Sequence, residues 1–314
     1  MTRAFVFPGQ GSQSVGMGRD LAQASPAARE TFEEVDDALG QNLTRLMFDG
    51  PAEDLTLTEN AQPALMAVSL AILRVLEREA GFSLADKIAL VAGHSLGEYA
   101  ALAAARAFDL ADAARLLKAR GRAMQQAVAV GEGAMAAILG LGLDDVLAAA
   151  AEAAADGEVC AVANDNAPGQ VVVSGQAAAV QRAVELAKAL GAKRAMVLNV
   201  SAPFHCALMQ PAADEMAARL AEVPPRRPVV PLVANVSARP SRDPELIARQ
   251  LVAQVTAMVR WRECVLAIRD AGHHELIEVG AGKVLTGLAR RIDRDLDASA
   301  LNGPDDIEAF LGRV

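Results

Sequence analysis

The stretch LVAGHSLGEYAALAAARAF, residues 90–108, joins a short apolar run to a helical pattern through a glycine-flanked serine. Its pentapeptide Gly93-His94-Ser95-Leu96-Gly97 fits the G-x-S-x-G pattern. That pattern is typical of a sharp strand-to-helix turn that presents a serine hydroxyl at the top of a sheet. The sequence therefore predicts an α/β fold in which Ser95 is a candidate nucleophile.

The segments on both sides of this turn alternate between short apolar runs and helical patterns. Strands separated by helices favour a parallel sheet whose turns gather at its carboxyl edge. The predicted strands lie at residues 2–7, 88–92, 229–233 and 275–279. The predicted helices lie at residues 25–39, 62–79, 110–128, 206–220, 244–255 and 261–271, with one more opened by GAGKVL at 280–285.

The middle of the chain changes character and predicts a second, smaller unit. Its expected strands and helices lie, in order, at residues 134–139, 144–155, 158–163, 170–174, 177–190 and 194–200. The resulting order, βαββαβ, is that of a ferredoxin-like unit. We therefore predict a large hydrolase-like parallel-sheet subdomain at residues 1–129 and 201–314, with a ferredoxin-like small subdomain at 130–200 inserted into it.

Composition narrows the class of protein. The chain has 314 residues, of which 53% are hydrophobic and 3% aromatic, and a net charge of −9. An acidic chain with few aromatic side chains is unsuited to nucleic acid. We expect no secretory signal from the segment MTRAFVFPGQ, residues 1–10, because it lacks a charged region followed by a long apolar one. No apolar run reaches the ~18 residues that span a bilayer. We expect a cytoplasmic monomer with no membrane partner.

A serine hydroxyl needs a base before it becomes a good nucleophile, and the chain has four histidines. His94 is adjacent to Ser95, and neighbouring side chains usually diverge. His273 and His274 stand side by side before a predicted strand, without metal-ligand spacing. His205 lies between a predicted strand and a helix, where catalytic groups are often presented. We therefore predict His205 as the base, with a hydrogen-bonded histidine at a helix start as the alternative.

The neighbours of His205 leave its orienting partner open. The Cys206 thiol is an alternative nucleophile, but adjacent residues entering a helix point about 100° apart, so we predict a packing role. With Cys160 and Cys264 it shows no C-x-x-C spacing, so neither a disulfide framework nor a zinc site is indicated. The candidate acids are Asp214, Asp243 and Glu278. An α/β-hydrolase has its acid before a histidine near the C-terminus, and His205 fits that order poorly.

An arginine interrupts the apolar face of the predicted helix at 110–128. Arg120 lies four residues from both Leu116 and Met124, on the face expected to meet the core. A buried guanidinium without a partner costs several kcal/mol, so an anion is expected nearby. Its partner is either an internal Asp or Glu or a substrate carboxylate bound bidentately, unless the side chain reaches out to solvent. A substrate partner would favour a dicarboxylic half-thioester.

Six ordered segments carry a family resemblance over essentially the whole chain. They are FVFPGQGSQ (5–13), GHSLGEY (93–99), RGRAMQ (120–125), GAMAAILG (133–140), PFHCALM (203–209) and EVGAGKVLTGL (278–288). In them the sequence resembles the malonyl-CoA:acyl carrier protein transacylase family of fatty acid synthesis.

The resemblance implies a role for each matching residue. Ser95 corresponds to the acylated nucleophile, His205 to its general base and Arg120 to the residue that binds the malonyl carboxylate. The backbone N–H groups of Gln10 and Leu96 correspond to the oxyanion hole. Glycines on both sides of Gln10 allow the backbone to approach the acyl oxygen closely.

The family orients its histidine with a backbone carbonyl of a glutamine. Gln254 in QVTAMVRW matches that glutamine, and Gln250 in ARQL is the rival alignment. Phe204 is expected to size the acyl pocket. The remaining expected substrate-binding residues, near the cleft, are Gln62, Asn164 and Asn166.

The resemblance implies transfer of the malonyl group from malonyl-CoA to the phosphopantetheine thiol of acyl carrier protein through a malonyl-serine intermediate. It implies no permanently bound cofactor and no metal. The alternatives are a free-standing acyltransferase of a polyketide synthase, a serine esterase or thioesterase, and a non-catalytic carrier-docking subunit. An acidic carrier needs a basic docking patch, expected at Arg290, Arg291 and Arg294 or at Lys193 and Arg194.

Overall fold

Two separate sheets organise the chain in the computed structural model, which describes residues 3–198, 200 and 202–313. The strands are β1 (Arg3–Phe7), β2 (Leu90–Gly93), β3 (Gly133–Leu139), β4 (Cys160–Ala167), β5 (Gln170–Gln176), β6 (Arg194–Val197), β7 (Leu232–Val233), β8 (Pro240–Ser241), β9 (Glu275–Val279) and β10 (Asp297–Leu301). The helices before β3 are α1 (Arg19–Ala24), α2 (Pro26–Leu39), α3 (Leu43–Asp49), α4 (Ala52–Thr56), α5 (Thr58–Ala80), α6 (Leu84–Lys87), α7 (Gly97–Ala104) and α8 (Leu110–Gln126). The later helices are α9 (Leu143–Ala153), α10 (Ala177–Ala189), α11 (Gln210–Glu222), α12 (Pro244–Gln254), α13 (Trp261–Asp270), α14 (Val284–Ile292) and α15 (Pro304–Leu311).

The larger sheet has the strand order β10-β9-β1-β2-β7-β8 and is parallel except for its last pair. Both of its faces are covered, as parallel sheets require. Successive side chains of β1 show this directly, since Phe5 and Phe7 pack into one apolar cluster and Ala4 and Val6 into another with Trp261. No helix in the described ranges is long and apolar enough to cross a membrane.

The smaller sheet is antiparallel, with the order β4-β5-β3-β6. Its elements follow one another as β3-α9-β4-β5-α10-β6, which is the βαββαβ order of a ferredoxin-like unit. The predicted fold class, a parallel main sheet with a separate antiparallel one, is confirmed. The predicted end of the inserted unit falls beside Asn199 and Ser201, which lie outside the described residues, so its boundaries stay a prediction.

The structure corrects the end of the strand predicted at 158–163, because β4 continues to Ala167 through most of the connecting segment NDNAPG (164–169). Two register shifts allow the strand to extend, one between Val162 and Asn164 and one before Ala167. A second partner also pairs with it, since Asp165 donates its N–H to the carbonyl of Val259 at 3.0 Å. Asn164 is therefore a strand residue and not a turn residue.

Other element boundaries also differ from the predictions. The helix predicted at 206–220 begins with a 3-10 turn at Ala207–Met209, and α11 starts at Gln210, followed by a proline suited to a first helical turn. The strand predicted at 229–233 is reduced to β7. The sequence patterns missed β10 and α15. The buried residues of β10, Ala298 and Leu301, are three apart and lack the two-residue alternation that indicates a strand.

The turn between β2 and α7 depends on two glycines that lie against backbone. A Cβ on Gly93 would stand 1.9 Å from the carbonyl carbon of Gly97, and a Cβ on Gly97 would stand 2.3 Å from the oxygen of Phe7. Neither neighbour is a flexible side chain, so no rotamer change relieves the contact. This close approach of α7 to β1 fixes where the turn presents its serine.

We predict that Gly97→Ala lowers the free energy of unfolding by about 3 kcal/mol or more, because the new methyl group overlaps the Phe7 carbonyl. Chemical denaturation monitored by circular dichroism measures this loss. Gly287→Ala is the control, since a Cβ at Gly287 in α14 meets nothing within 4 Å. It should raise stability by up to about 1 kcal/mol through helix propensity. Equal behaviour of the two variants would contradict the packing argument.

Candidate active site

The serine of the β2–α7 turn adopts a conformation that L-residues rarely take. Ser95 has φ of 53°, the left-handed geometry that this kind of turn requires. Its N–H donates to the side-chain oxygen of Asn235 at 2.8 Å, and the preceding N–H of His94 donates to Phe7 at 3.0 Å. These bonds hold the turn from both sides, so the Ser95 hydroxyl projects from a fixed backbone.

The structure brings His205 to Ser95. Ser95 Oγ lies 2.8 Å from His205 Nε2, and His205 Nδ1 lies 2.8 Å from the carbonyl oxygen of Gln254. A carbonyl only accepts hydrogen bonds, so Nδ1 carries the proton and Nε2 accepts from the serine hydroxyl. The imidazole therefore has the tautomer that a general base needs.

Gln254, and not Gln250, supplies this carbonyl. The side chain of Gln250 instead donates to Ser237 Oγ at 2.9 Å. The three candidate acids bond elsewhere: Asp214 accepts from Gln210, Asp243 caps α12 and Glu278 accepts N–H groups of α14. Cys206 is buried against the carbonyl of Pro203, and burial raises the pKa of its thiol, so it stays protonated.

Burial and the nearby Arg120 cation lower the pKa of His205 from 6.5 to about 3. Both causes act in the same direction, because each disfavours a charged imidazole. The ring is therefore neutral near pH 7 and ready to accept the serine proton.

Arg120 is 1% exposed, as its place on the apolar face of α8 predicts. Its guanidinium donates to Gln62 Oε1 at 2.8 Å, to Gln254 Oε1 at 2.9 Å and to Ser95 Oγ at 3.1 Å. The ring of Tyr99 lies 5.7 Å from its carbon Cζ, a cation–π distance.

The charge of Arg120 is not balanced by a direct ion pair within the described part of the chain. Its Nε is buried and lacks a hydrogen-bond partner among those residues. Burial lowers the pKa of this guanidinium, although arginine retains its charge in proteins. The site thus holds a cation beside the serine and retains capacity to bind an anion.

A cavity of about 350 Å³ opens above these three side chains. Gln254 lies behind the cavity and does not line it. All the other residues predicted for the site do, namely Gln10, Gln62, Leu96, Asn164, Asn166 and Phe204. Leu96 stands at the N-terminus of α7, where the first N–H groups have no partner within the helix. A larger depression of about 640 Å³ beside α8 is lined by exposed arginines and holds no candidate nucleophile.

Three further residues of the site were not predicted from the sequence. His94 lines the cavity, and its Nε2 lies 2.8 Å from Asn166 Oδ1. Asn235 and Glu98 are buried beneath the turn, where Asn235 N–H donates to Glu98 at 2.7 Å. Burial raises the pKa of Glu98 to about 8, against the lowering effect of its donors and of the Arg120 cation. Glu98 is the one charged residue in the otherwise apolar segment GEYAALAA, residues 97–104, and this is the sequence feature that could have indicated it.

Known proteins resemble the chain along its whole length. The family model of the acyl transferase domain matches residues 4–301. The malonyl CoA-acyl carrier protein transacylase of Escherichia coli strain K12 is 49% identical over 308 residues, covering 98% of this chain and 98% of that protein. The acyl-carrier-protein-S-malonyltransferase structure from Bartonella henselae is 56% identical, with a TM-score of 0.97 over 100% of this chain and 99% of that one. A malonyl-transacylase structure in complex with its type II PKS acyl-carrier protein is 44% identical, with a TM-score of 0.96 and 100% of both chains covered.

We predict that the reactivity of Ser95 is almost flat between pH 5 and pH 7, because the lowered pKa keeps His205 neutral over that interval. A fluorophosphonate that labels serine, followed by intact mass, measures the rate. An imidazole with an ordinary pKa near 6.5 would lose about 25-fold over the same interval.

The lowered pKa of His205 also makes the free energy of unfolding depend on pH. The unfolded imidazole binds a proton that the folded one excludes, so His205 removes stability as the pH falls from 6.5 toward 3.

His205→Ala is the control for the labelling experiment and should label slowly at every pH. A steep fall in labelling of the unmodified protein below pH 7 would contradict the buried, neutral base.

Proposed function

The chain belongs to the malonyl-CoA:acyl carrier protein transacylase family of acyltransferases, and we propose that Ser95 and His205 carry the malonyl group through a covalent serine ester. The observation that carries the proposal is a buried guanidinium 3.1 Å from a serine hydroxyl that also meets a neutral imidazole at 2.8 Å. A nucleophile, its base and a fixed cation for a free carboxylate then share one cavity.

In the first half-reaction, His205 Nε2 takes the proton of Ser95 as Oγ attacks the thioester carbonyl of malonyl-CoA. The carbonyl oxygen becomes an oxyanion, and the backbone N–H groups of Gln10 and Leu96 stabilise it. The carbon–sulfur bond then breaks, and the CoA sulfur leaves with the proton that the imidazolium returns. The Gln254 carbonyl keeps the Nδ1 proton in place throughout.

The second half-reaction reverses these roles. The phosphopantetheine thiol of the carrier gives its proton to His205 and attacks the ester carbonyl. The ester bond to Ser95 Oγ breaks, and Oγ recovers the proton. The malonyl group is now a thioester of the carrier, and the site has returned to its first state.

Arg120 selects the acyl group in this proposal. Its guanidinium is held by Gln62 and Gln254 and leaves charge for the malonyl carboxylate. Hydrogen bonds to a charged group contribute about 1.5–3 kcal/mol, or roughly 10- to 150-fold in selectivity. The buried ring of Phe204 limits the size of the acyl group, and Asn164 and Asn166 offer polar atoms along the wall.

We further propose a cytoplasmic monomer without a resident cofactor, with malonyl-CoA as donor and acyl carrier protein as acceptor. Three buried free thiols, at Cys160, Cys206 and Cys264, suit a reducing compartment. The chemistry is the same for a carrier of fatty acid or of polyketide synthesis. Transfer rates to purified carriers of both kinds separate the two pathways.

We predict that Ser95→Ala abolishes the malonyl adduct seen by intact mass after incubation with malonyl-CoA. Arg120→Ala should still form an acyl-enzyme, but its preference for malonyl-CoA over acetyl-CoA should fall about 10- to 100-fold with the loss of the charged hydrogen bonds. Arg122→Ala, two residues along α8 and 60% exposed, is the matched control and should keep the preference.

Two results would overturn these assignments. A Ser95→Ala protein that still gains one malonyl group would show that Ser95 is not the nucleophile. Steady hydrolysis of neutral esters by the unmodified protein, with no transfer to a carrier thiol, would favour the serine esterase instead.

We propose that the carrier docks on a basic rim made of Lys193, Arg194, Arg290, Arg291 and Arg294, all of which are exposed. Arg194 and Arg291, one from each part of the rim, lie at the same end of the antiparallel sheet. Arg291 donates to Gln170 at 2.7 Å, Gln170 pairs with Leu139, and Leu139 pairs with Arg194. Two strand spacings, ~10 Å, therefore separate Gln170 from Arg194.

The Arg194→Glu, Arg291→Glu double variant should raise the KM for the carrier about tenfold or more at low salt and less at high salt, because screening weakens charge attraction. The KM for malonyl-CoA should not change. Arg249→Glu, on exposed α12 surface, is the control. The basic rim would be refuted if the KM for the carrier changed neither with salt concentration nor in the double variant.

A further inference from the structure

Glu98 is a buried carboxyl directly beneath the nucleophile. It lies in the first turn of α7, three residues after Ser95, and is 1% exposed. One oxygen accepts the N–H of Asn235 at 2.7 Å, and the other accepts the side-chain N–H of Gln254. The reaction described above assigns no step to this carboxyl.

The Gln254 side chain connects Glu98 to Arg120. Its Oε1 accepts from the guanidinium at 2.9 Å, while its Nε2 donates to Glu98, to the Ser95 carbonyl at 3.0 Å and to Asn235 Oδ1 at 3.2 Å. Arginine only donates, so it requires the oxygen end of the amide, and the Glu98 side requires the nitrogen end. The Arg120 guanidinium on one side and the ionised Glu98 carboxylate on the other thereby fix the orientation of the amide. Because burial raises the pKa of Glu98 to about 8, this holds above that pH.

Resting on the proposed function, we propose that Glu98 is a positioning residue for malonyl selectivity, because it holds the Gln254 amide with its oxygen on Arg120. The same glutamine presents its backbone carbonyl to His205, so it joins the base and the cation. Glu98 does not touch the reacting atoms; it acts through Gln254 and Asn235.

Replacement of Glu98 by glutamine breaks this arrangement in a defined way. Two donors, the N–H of Asn235 and the Nε2 of Gln254, face the two oxygens of Glu98. An amide offers only one oxygen, so its NH₂ group must face one of these donors. The Gln254 amide can relieve the conflict by turning over, which places its NH₂ against Arg120 and displaces the guanidinium.

The experiment compares acyl-enzyme formation from malonyl-CoA and from acetyl-CoA by rapid-quench intact mass at about pH 9, above the pKa of about 8 that burial gives Glu98. For Glu98→Gln we expect the malonyl-to-acetyl ratio of kcat/KM to fall about 10- to 100-fold, the effect of a misplaced binding group. Acetyl loading does not use the Arg120 charge and should fall less than about threefold, on the scale of a side chain lying outside the reacting atoms.

Glu278→Gln is the matched control. Glu278 is also a fully buried glutamate that accepts two backbone N–H groups, from Leu285 and Thr286, and it lies outside the cavity. This variant should lose stability and keep the malonyl-to-acetyl ratio. If Glu98→Gln does not fold, Glu98→Asp replaces it, because aspartate keeps two accepting oxygens on a side chain one methylene shorter. The malonyl-to-acetyl ratio of Glu98→Asp should fall as well.

The outcomes separate the inference from the proposed function. Failure of the unmodified protein to load malonyl defeats the proposed function. If that protein loads malonyl, an unchanged ratio in the folded Glu98 variants overturns the positioning role. An equal loss with both thioesters also overturns it, since it indicates a structural role only.

Discussion

The hydrogen bond from the Arg120 guanidinium to the Ser95 hydroxyl, 3.1 Å long, places a buried positive charge beside the proposed nucleophile. A buried cation is unfavourable unless its donors are satisfied, and here the neutral amide oxygens of Gln62 and Gln254 accept two of its five N–H groups. Because these partners are neutral, the charge is oriented without being cancelled. Burial and this same charge lower the pKa of His205 and so keep the proposed base neutral.

This arrangement explains why a carbonyl, and not a carboxylate, orients the imidazole. A carboxylate at the position of the Gln254 carbonyl would raise the pKa of His205 and would offer Arg120 a competing anion at short range. The nearest acid, Glu98, is kept one amide away from the guanidinium by the Gln254 side chain. The anion that best completes the site is then one that arrives with the substrate.

The sequence was sufficient for those parts of the site that local patterns encode. The Gly93–Gly97 pattern predicts the turn, and helical spacing places Arg120 on a buried face, because both depend on residues close together in the chain. Spacing alone could not choose Gln254 over Gln250 or find Asn235, since their contacts with His205 and Ser95 join distant segments. The prediction that the strand ends before Asn164 is wrong for a related reason. Its strand is extended by a tertiary partner at Val259, which no local pattern reveals.

The two sheets divide the work of the site. In the described part of the chain, Ser95, His205 and Arg120 hydrogen-bond only to one another and to residues outside the antiparallel sheet. That sheet instead forms a wall of the cavity and is tied to the rest of the fold at its edge. His94 of the β2–α7 turn bonds to Asn166, and Arg262 of α13 bonds to the buried Asp165 at 2.8 Å. Substitutions in that wall can therefore alter how a long thioester arm enters while the geometry around the serine is preserved. In the function proposed above, the Arg120 cation that selects the acyl group thus lies outside the antiparallel sheet, which lines the cavity beside it.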